Sequence, residues 1–340
     1  GSANVGWLDI LRGDADSVTD GEQLEIGTNA RTFHAFGVQS TARWTAGGKL
    51  GRRSWGNRLE LGVRLHGDRV ERISTEQPHA MKDGRLVRQP TPSQTIAHNR
   101  ADATALAVHL HDDLRLGGLH FLPGVRTEVI RTSFTNVLGD ESDGSEEGGG
   151  SDGALTRAVV LPGAALLQEI GRNAMVFAGT HRGFSPVAPG QAAEVKPELS
   201  WNHEAGLRYG DGAVRGELVG FLNDYSNLTG QCTLSGGCTD DQLGQQFNGG
   251  KVLVYGLEAV AGWNVPLPAR LLLDTEASYT LTVSHFRTGF VSGFPQFGTV
   301  EKGDSLPYMP VHQGSFKLGL THARFGGSVK VQARSGMRDI

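Results

Sequence analysis

The sequence predicts an all-β chain: the wall of an antiparallel, up-and-down transmembrane β-barrel. Three observations carry this. Apolar and polar residues alternate strictly over long runs. The connections between those runs alternate between short and long. Glycine is abundant, at 49 of 340 residues, while charged residues make up only 20%, a balance that suits turn-rich β-proteins better than helical ones.

The alternation comes first. In Arg58 to His66, Leu59, Leu61, Val63 and Leu65 share one face, and Arg58, Glu60, Gly62, Arg64 and His66 share the other. In Arg270 to Thr282, Leu271, Leu273, Ala277, Tyr279 and Leu281 oppose Arg270, Asp274, Glu276, Ser278 and Thr280. A helical period of 3.6 would mix these sets, whereas a strand period of 2 separates them. Such runs predict about twelve strands, at 31–46, 57–73, 101–116, 119–135, 155–169, 172–183, 199–210, 213–227, 251–264, 269–284, 312–322 and 327–338. Several are long enough to cross a bilayer at a tilt, which takes roughly 9–11 residues.

The rhythm of the connections sets the topology. Short links fall at Gly117-Gly118, Gly171-Arg172, Gly210 to Gly212, Pro266 to Pro268 and around Arg324, and the link 47–56 is intermediate. Long links fall at 74–100, 136–154, 184–198, 228–250 and 285–311. Tight turns at one end and long loops at the other are the asymmetry of an outer-membrane barrel, and a soluble sandwich has no reason to keep it. No run of 18 apolar residues marks a membrane helix, which leaves alternating barrel strands untouched.

Composition excludes other classes. A net charge of -4 gives no basic signature for nucleic acid. There is no Gly-x-Ser-x-Gly elbow, His-Glu-x-x-His, phosphate-binding loop or dinucleotide fingerprint, so no catalytic residue is assigned and an enzyme is not expected. The acidic run Asp140 to Gly153 lacks the ligand spacing of a calcium loop and reads as solvated. The 12 histidines are scattered; His109 and His111 share a strand face and could chelate a metal, but a polar lumen face accounts for them. No metal site or cofactor is assigned. Cys232 and Cys238 lie in a Gly/Ser/Thr-rich stretch, which suits a small disulfide in an oxidising compartment. A two-ligand metal site and a reduced pair are the alternatives.

Several segments, taken in order, resemble a known family. Thr180-His-Arg-Gly-Phe-Ser-Pro186 is similar to the segment of TonB-dependent siderophore receptors that ends one strand and opens an extracellular loop. Lys196-Pro-Glu-Leu-Ser-Trp-Asn-His-Glu-Ala-Gly-Leu-Arg-Tyr209 resembles the strand that follows. Phe221 to Cys232, Gly249 to Glu258 and Leu306-Pro-Tyr-Met-Pro-Val-His312 resemble later elements. Leu11-Arg-Gly13 through Asn29, Leu61 to Arg69 and the short cysteine loop resemble the ferric citrate receptor branch in particular. The resemblance implies a 22-stranded barrel filled by an N-terminal plug, of which 1–340 holds about twelve strands as one partial barrel domain. The plug, the TonB box and the closing strand are absent from it. Both ends read as cuts: Gly1 is no initiator, Gly1-Ser2 is either a cloning scar or natural sequence, and the chain stops directly after an alternating strand.

The function so implied is import of a ferric chelate, ferric citrate or a related siderophore, across the outer membrane of a Gram-negative bacterium, by a monomer in contact with lipid and energised through TonB. Haem, another metal chelate or an oligosaccharide on the same scaffold is the alternative; a surface β-protein such as an adhesin is a third. Such ligands are anionic or rich in oxygen acceptors, and the planar fork of arginine suits them. Inward-facing residues near the extracellular end are therefore the expected ligand contacts: Arg72, Arg131, Arg182, His285 and Arg287, with Tyr225 as a neutral donor. The location of the apolar face separates barrel from sandwich. A barrel exposes it to lipid, and a sandwich hides it in a core. Alone, a wall with two unpaired edges is expected to be insoluble without detergent.

Overall fold

The computed structural model describes residues 3–138, 153–232, 238, 244–292 and 298–338. Twelve long strands dominate it: β1 (Leu24–Leu50), β2 (Arg53–Lys82), β3 (Gln94–Leu116), β4 (Leu119–Asn136), β5 (Gly153–Ile170), β6 (Ala174–Ser185), β7 (Glu198–Gly210), β8 (Val214–Asn227), β9 (Val252–Leu267), β10 (Leu271–Phe286), β11 (His312–His322) and β12 (Phe325–Arg334). Each pairs antiparallel with its sequence neighbours in a single sheet, in the order β1 to β12. Among the described residues, β1 and β12 are its edges.

All twelve expected strands are present, and the differences lie at their ends. The link 47–56 is a two-residue turn at Gly51-Arg52, because β1 and β2 pair as far as Leu50 and Arg53. Much of the expected loop 74–100 is strand: β2 runs to Lys82, and Arg85–Arg88 folds back on its tip. Gly47 and Gly48 lie within β1 and Pro78 within β2. Backbone pairing continues past them because a barrel hairpin projecting beyond the membrane no longer needs one apolar face. Turn chemistry follows residue type. Gly51 takes φ +62°, which only glycine adopts without cost. Between β7 and β8, Asp211 accepts from the N–H groups of Ala213 and Val214 at 3.0 and 2.8 Å, and these bonds hold its carboxyl below the usual range.

One element was not expected. Helix α1 (Ala3–Arg12) ends at Gly13, whose positive φ closes it through bonds from Gly13 N–H to Ile10 O and from Asp14 N–H to Asp9 O. Such a glycine is the common helix stop. Buried Ile10 anchors the helix. The chain beyond it clips to the β2 tip through Ser17, which donates its N–H to Met81 O and accepts Met81 N–H at its hydroxyl. A side chain on Gly13 would meet the Gly84 backbone at 3.0 Å, so the close approach requires glycine.

The two faces of the sheet differ. Across the strands Leu61 lies opposite Leu110, Leu110 opposite Val125, Val176 opposite Leu207, Leu207 opposite Leu218 and Leu318 opposite Val329. This apolar face is also the more open one. In β4 the residues of the Val125 and Val129 set are exposed while their neighbours are half-buried, and Leu61, Val63 and Leu65 are 37%, 41% and 45% exposed. No second sheet covers it among the described residues, which excludes a sandwich. Exposed aromatics flank it: Trp55, Phe121, Tyr209, Trp263 and Phe325 towards the short turns, and Phe36, Trp201 and Tyr255 towards the loops. An open apolar band between aromatic girdles is the outer surface of a membrane barrel.

Candidate functional site

The opposite face is polar, and register places its groups. Towards the short turns it carries ion pairs, between strands for Arg43 with Glu60, Arg208 with Glu217, Arg215 with Glu276 and Lys317 with Asp274, and along β4 for Arg126 with Glu128. Asp113, buried to 2% exposure, draws in Arg115, Arg58 and His120. Solvent-exposed pairs are worth at most about 1 kcal/mol each. The ladder therefore defines a charged, wet face more than it holds the wall together.

Histidines lie on the same face. His109 packs over Gly62, where a side chain would collide with the ring, and its Nε2 lies 3.3 Å from Glu60. His109, His111, His181, Arg126 and Glu204 line a shallow trough of about 390 Å³ floored by Gly124, Gly163, Ala165 and Gly179. His109 thus lies within reach of a carboxylate, and no group of three or more His, Cys, Asp or Glu residues placed to hold a metal ion occurs among the described residues.

Near the loop end the pattern changes. Arg31 on β1 lies directly opposite Arg72 on β2. Both donate Nε–H to the single Oδ1 of Asn29, each at 3.2 Å, and Arg72 also donates to the Ser74 hydroxyl at 3.0 Å. Arg31 has no carboxylate partner among the described residues. Like charges facing each other across two strands are destabilising. The shared amide oxygen of Asn29 orients the two guanidinium groups side by side on the polar face.

Of the residues expected to face inward, Arg72 does so, on the face of Glu60, Arg64 and His66. Tyr225 also has that parity, but it is half-buried against a core of Val252, Val254, Phe286 and Val300 beneath the loops. Three others fall on the apolar face. Arg131 shares it with Val125 and Val129, Arg182 lies opposite Trp201, and His285 meets Tyr255 edge-on at 6.0 Å. Arg287 stands just past β10 and clasps Asp224, with Nη1 2.8 Å from both carboxylate oxygens. Strand parity accounts for all of this. An arginine an even number of steps from the membrane-facing valines emerges on their side, so the inward assignment of Arg131, Arg182 and His285 does not hold. Arg31 was missed because it sits at the first residue of the expected strand, where its partner across the hairpin depends on register.

The loops over β6 to β10 are knit together. The Gln246 side chain accepts Ala188 N–H at 2.9 Å, and Lys196 O accepts from Asn227 and Asn248, each at 3.0 Å. Arg157 reaches Val195 O at 2.8 Å. Leu306 N–H donates to Ser284, folding the loop before β11 over the polar side of β10. Cys232 and Cys238 are buried and joined by a disulfide, with Cα atoms 5.9 Å apart. The acidic run around Asp140 lies outside the described residues apart from Gly153. Closing so short a loop is worth about 2 kcal/mol. The C232S/C238S double variant is therefore expected to speed proteolysis within 228–251 severalfold while leaving the unfolding of the wall unchanged. Peptide mapping after limited digestion checks this, and equal digestion rates would contradict it.

A sheet of this kind, apolar on its open side and charged on the other, with turns at one end and loops at the other, defines a transmembrane β-barrel wall. The chain belongs to the TonB dependent receptor-like β-barrel family, whose model matches residues 4–338. Its fold is that of solved receptors. The unliganded ferric citrate transporter FecA matches at 21% identity and a TM-score of 0.66, covering 92% of this chain and 43% of FecA. The siderophore receptor PiuA from Acinetobacter baumannii matches at 12% and 0.61, over 85% and 44%. The ferric preacinetobactin receptor BauA from the same organism matches at 13% and 0.59, over 90% and 44%. The chain thus spans less than half the length of these receptors.

Proposed function

We propose that this chain forms part of the wall of an outer-membrane importer for an anionic ferric chelate, ferric citrate or a related carboxylate-bearing siderophore, working as a monomer and energised through TonB. The opposed Arg31 and Arg72 carry this reading. Two guanidinium forks a strand apart, on the polar face and at the loop end, match two carboxylates of a chelate. They sit where a ligand arriving from outside first meets the lumen wall. The membership of the chain in a receptor family, and its likeness to a ferric citrate transporter, a siderophore receptor and a ferric preacinetobactin receptor, support iron-chelate uptake over the other nutrients such a scaffold could carry. A plug filling the lumen and a TonB-contacting segment belong to the same reading, outside 1–340.

Growth on defined iron sources tests it. The complete receptor, expressed in a strain deleted for its own ferric-chelate receptors, is expected to restore growth on ferric citrate, and inactivation of TonB is expected to abolish that growth. Restoration by haem but not by any carboxylate chelate would overturn the ligand class. Growth that survives loss of TonB would overturn the energy coupling.

A further inference from the structure

The arginines that parity sends to the membrane side form a site of their own. We infer that Arg69, Arg100 and Arg131 bind the phosphorylated headgroup of an outer-leaflet lipid on the outside of the wall, an inference that rests on the membrane-barrel reading above.

Position comes first. On β3 the apolar band runs from Leu116 to Leu106. These ten residue steps span about 25 Å of height at a strand rise near 3.3 Å and a tilt near 40°, the height of a barrel's apolar band. On β4 the band reaches Val129, which lies opposite Leu106. Arg131 is the next residue on that face. Arg69 follows Leu65 on the same face of β2 after Gly67, and Arg100 follows Leu106 on β3 after Thr104 and Asp102. All three therefore emerge within a few residues of the band's upper edge, where headgroups lie.

Their geometry favours phosphate. Asp102 holds Arg69 by Nε at 2.6 Å and Arg100 by Nε at 2.9 Å, one carboxylate between two guanidinium groups. The carboxylate fixes both arginines through their inner nitrogens, leaving the outer Nη groups to a ligand. One strand over, Arg131 lies diagonal to Asp102 and is exposed, with no partner among the described residues. Three arginines against Asp102 and Glu71, which lies opposite Arg100, leave an excess of one positive charge. The neighbouring Glu71 is occupied by His98 at 2.9 Å. A phosphate takes bidentate bonds from arginine well, and acyl chains below it would lie on Leu65, Leu106 and Val129. A soluble anion would have no use for that apolar floor, and a ferric chelate in the lumen would be on the wrong side of the wall.

The test uses the complete receptor in nanodiscs of phosphatidylcholine doped with a bis-phosphorylated glycolipid, with lipid retention read by native mass spectrometry. Wild-type protein is expected to retain the phosphorylated lipid. The triple variant R69Q/R100Q/R131Q is expected to lose at least tenfold in affinity while keeping ferric-chelate import, and the lumen-facing R64Q variant is expected to match wild type. Equal retention by the triple variant, equal retention of the dephosphorylated lipid, or displacement of the lipid by millimolar inorganic phosphate would each overturn the inference. Heat-modified mobility on gels confirms that each variant is folded. A receptor that fails to insert into any bilayer would instead refute the barrel reading, so the two failures are distinguishable.

Discussion

Replacing Arg31 and Arg72 together by alanine is expected to raise the Kd of the complete receptor for an anionic ferric chelate by about 10²–10⁴-fold. Each arginine contributes charge-assisted hydrogen bonds worth roughly 1.5–3 kcal/mol, and two such losses give that range. The two groups face each other across β1 and β2 with a shared neutral acceptor in Asn29. Removing them takes away a like-charge contact together with hydrogen bonds to Asn29 and Ser74, opposing effects on an exposed face that should leave stability within about 1 kcal/mol of wild type. A fall in affinity without a fall in stability separates a binding role from a structural one. The variant R72K, which keeps the charge and loses the fork, should fall between. Radiolabelled-iron binding to outer-membrane vesicles measures the affinity, and an unchanged Kd in the double variant would remove the pair from the site.

Leu110→Arg is expected to cost about 2–4 kcal/mol, the penalty for a cation near the midplane on a barrel's lipid face. Ala105→Arg, five residues away on the same strand, should cost little. Leu110 belongs to the open apolar face with Leu61 and Val125, whereas Ala105 lies opposite His66 on the polar face. The pair tests the assignment of faces directly, since the two variants add the same group to the same strand. Urea unfolding of the complete receptor in lipid vesicles gives the difference. Equal costs would mean that the faces are misassigned, and the lipid site with them.

Much of the wall was legible in the sequence because its physics is local. A strand in lipid must pair every backbone amide and turn one face to hydrocarbon, so Leu59 to Leu65 and Leu271 to Leu281 record their own orientation. Even the error over His285 was avoidable. Tyr279 and Leu281 lie six and four residues before it, so the alternation already put it on their side. Arg131 stands in the same relation to Val129. Helix α1 escaped notice because what holds it is distant in sequence: the chain from Gly13 to Ser17 meets the Gly84 turn and Met81, and ten residues carry too little periodicity to stand out.

The sequence by itself determined the fold class, the number and order of the strands, which end carries loops, and the presence of a cysteine pair suited to a disulfide. Each follows from spacing along the chain, where periodicity and turn residues act over a few positions. Only the tertiary structure decided which charged side chains meet. Register brought Arg31 to Arg72, and gathered Arg69, Arg100 and Asp102 onto the outside of the wall. Loop packing covered Tyr225 and bound Arg287 to Asp224. Pairing across strands depends on the summed hydrogen bonding and packing of whole hairpins, and a one-residue slip would send every one of these groups to the other face.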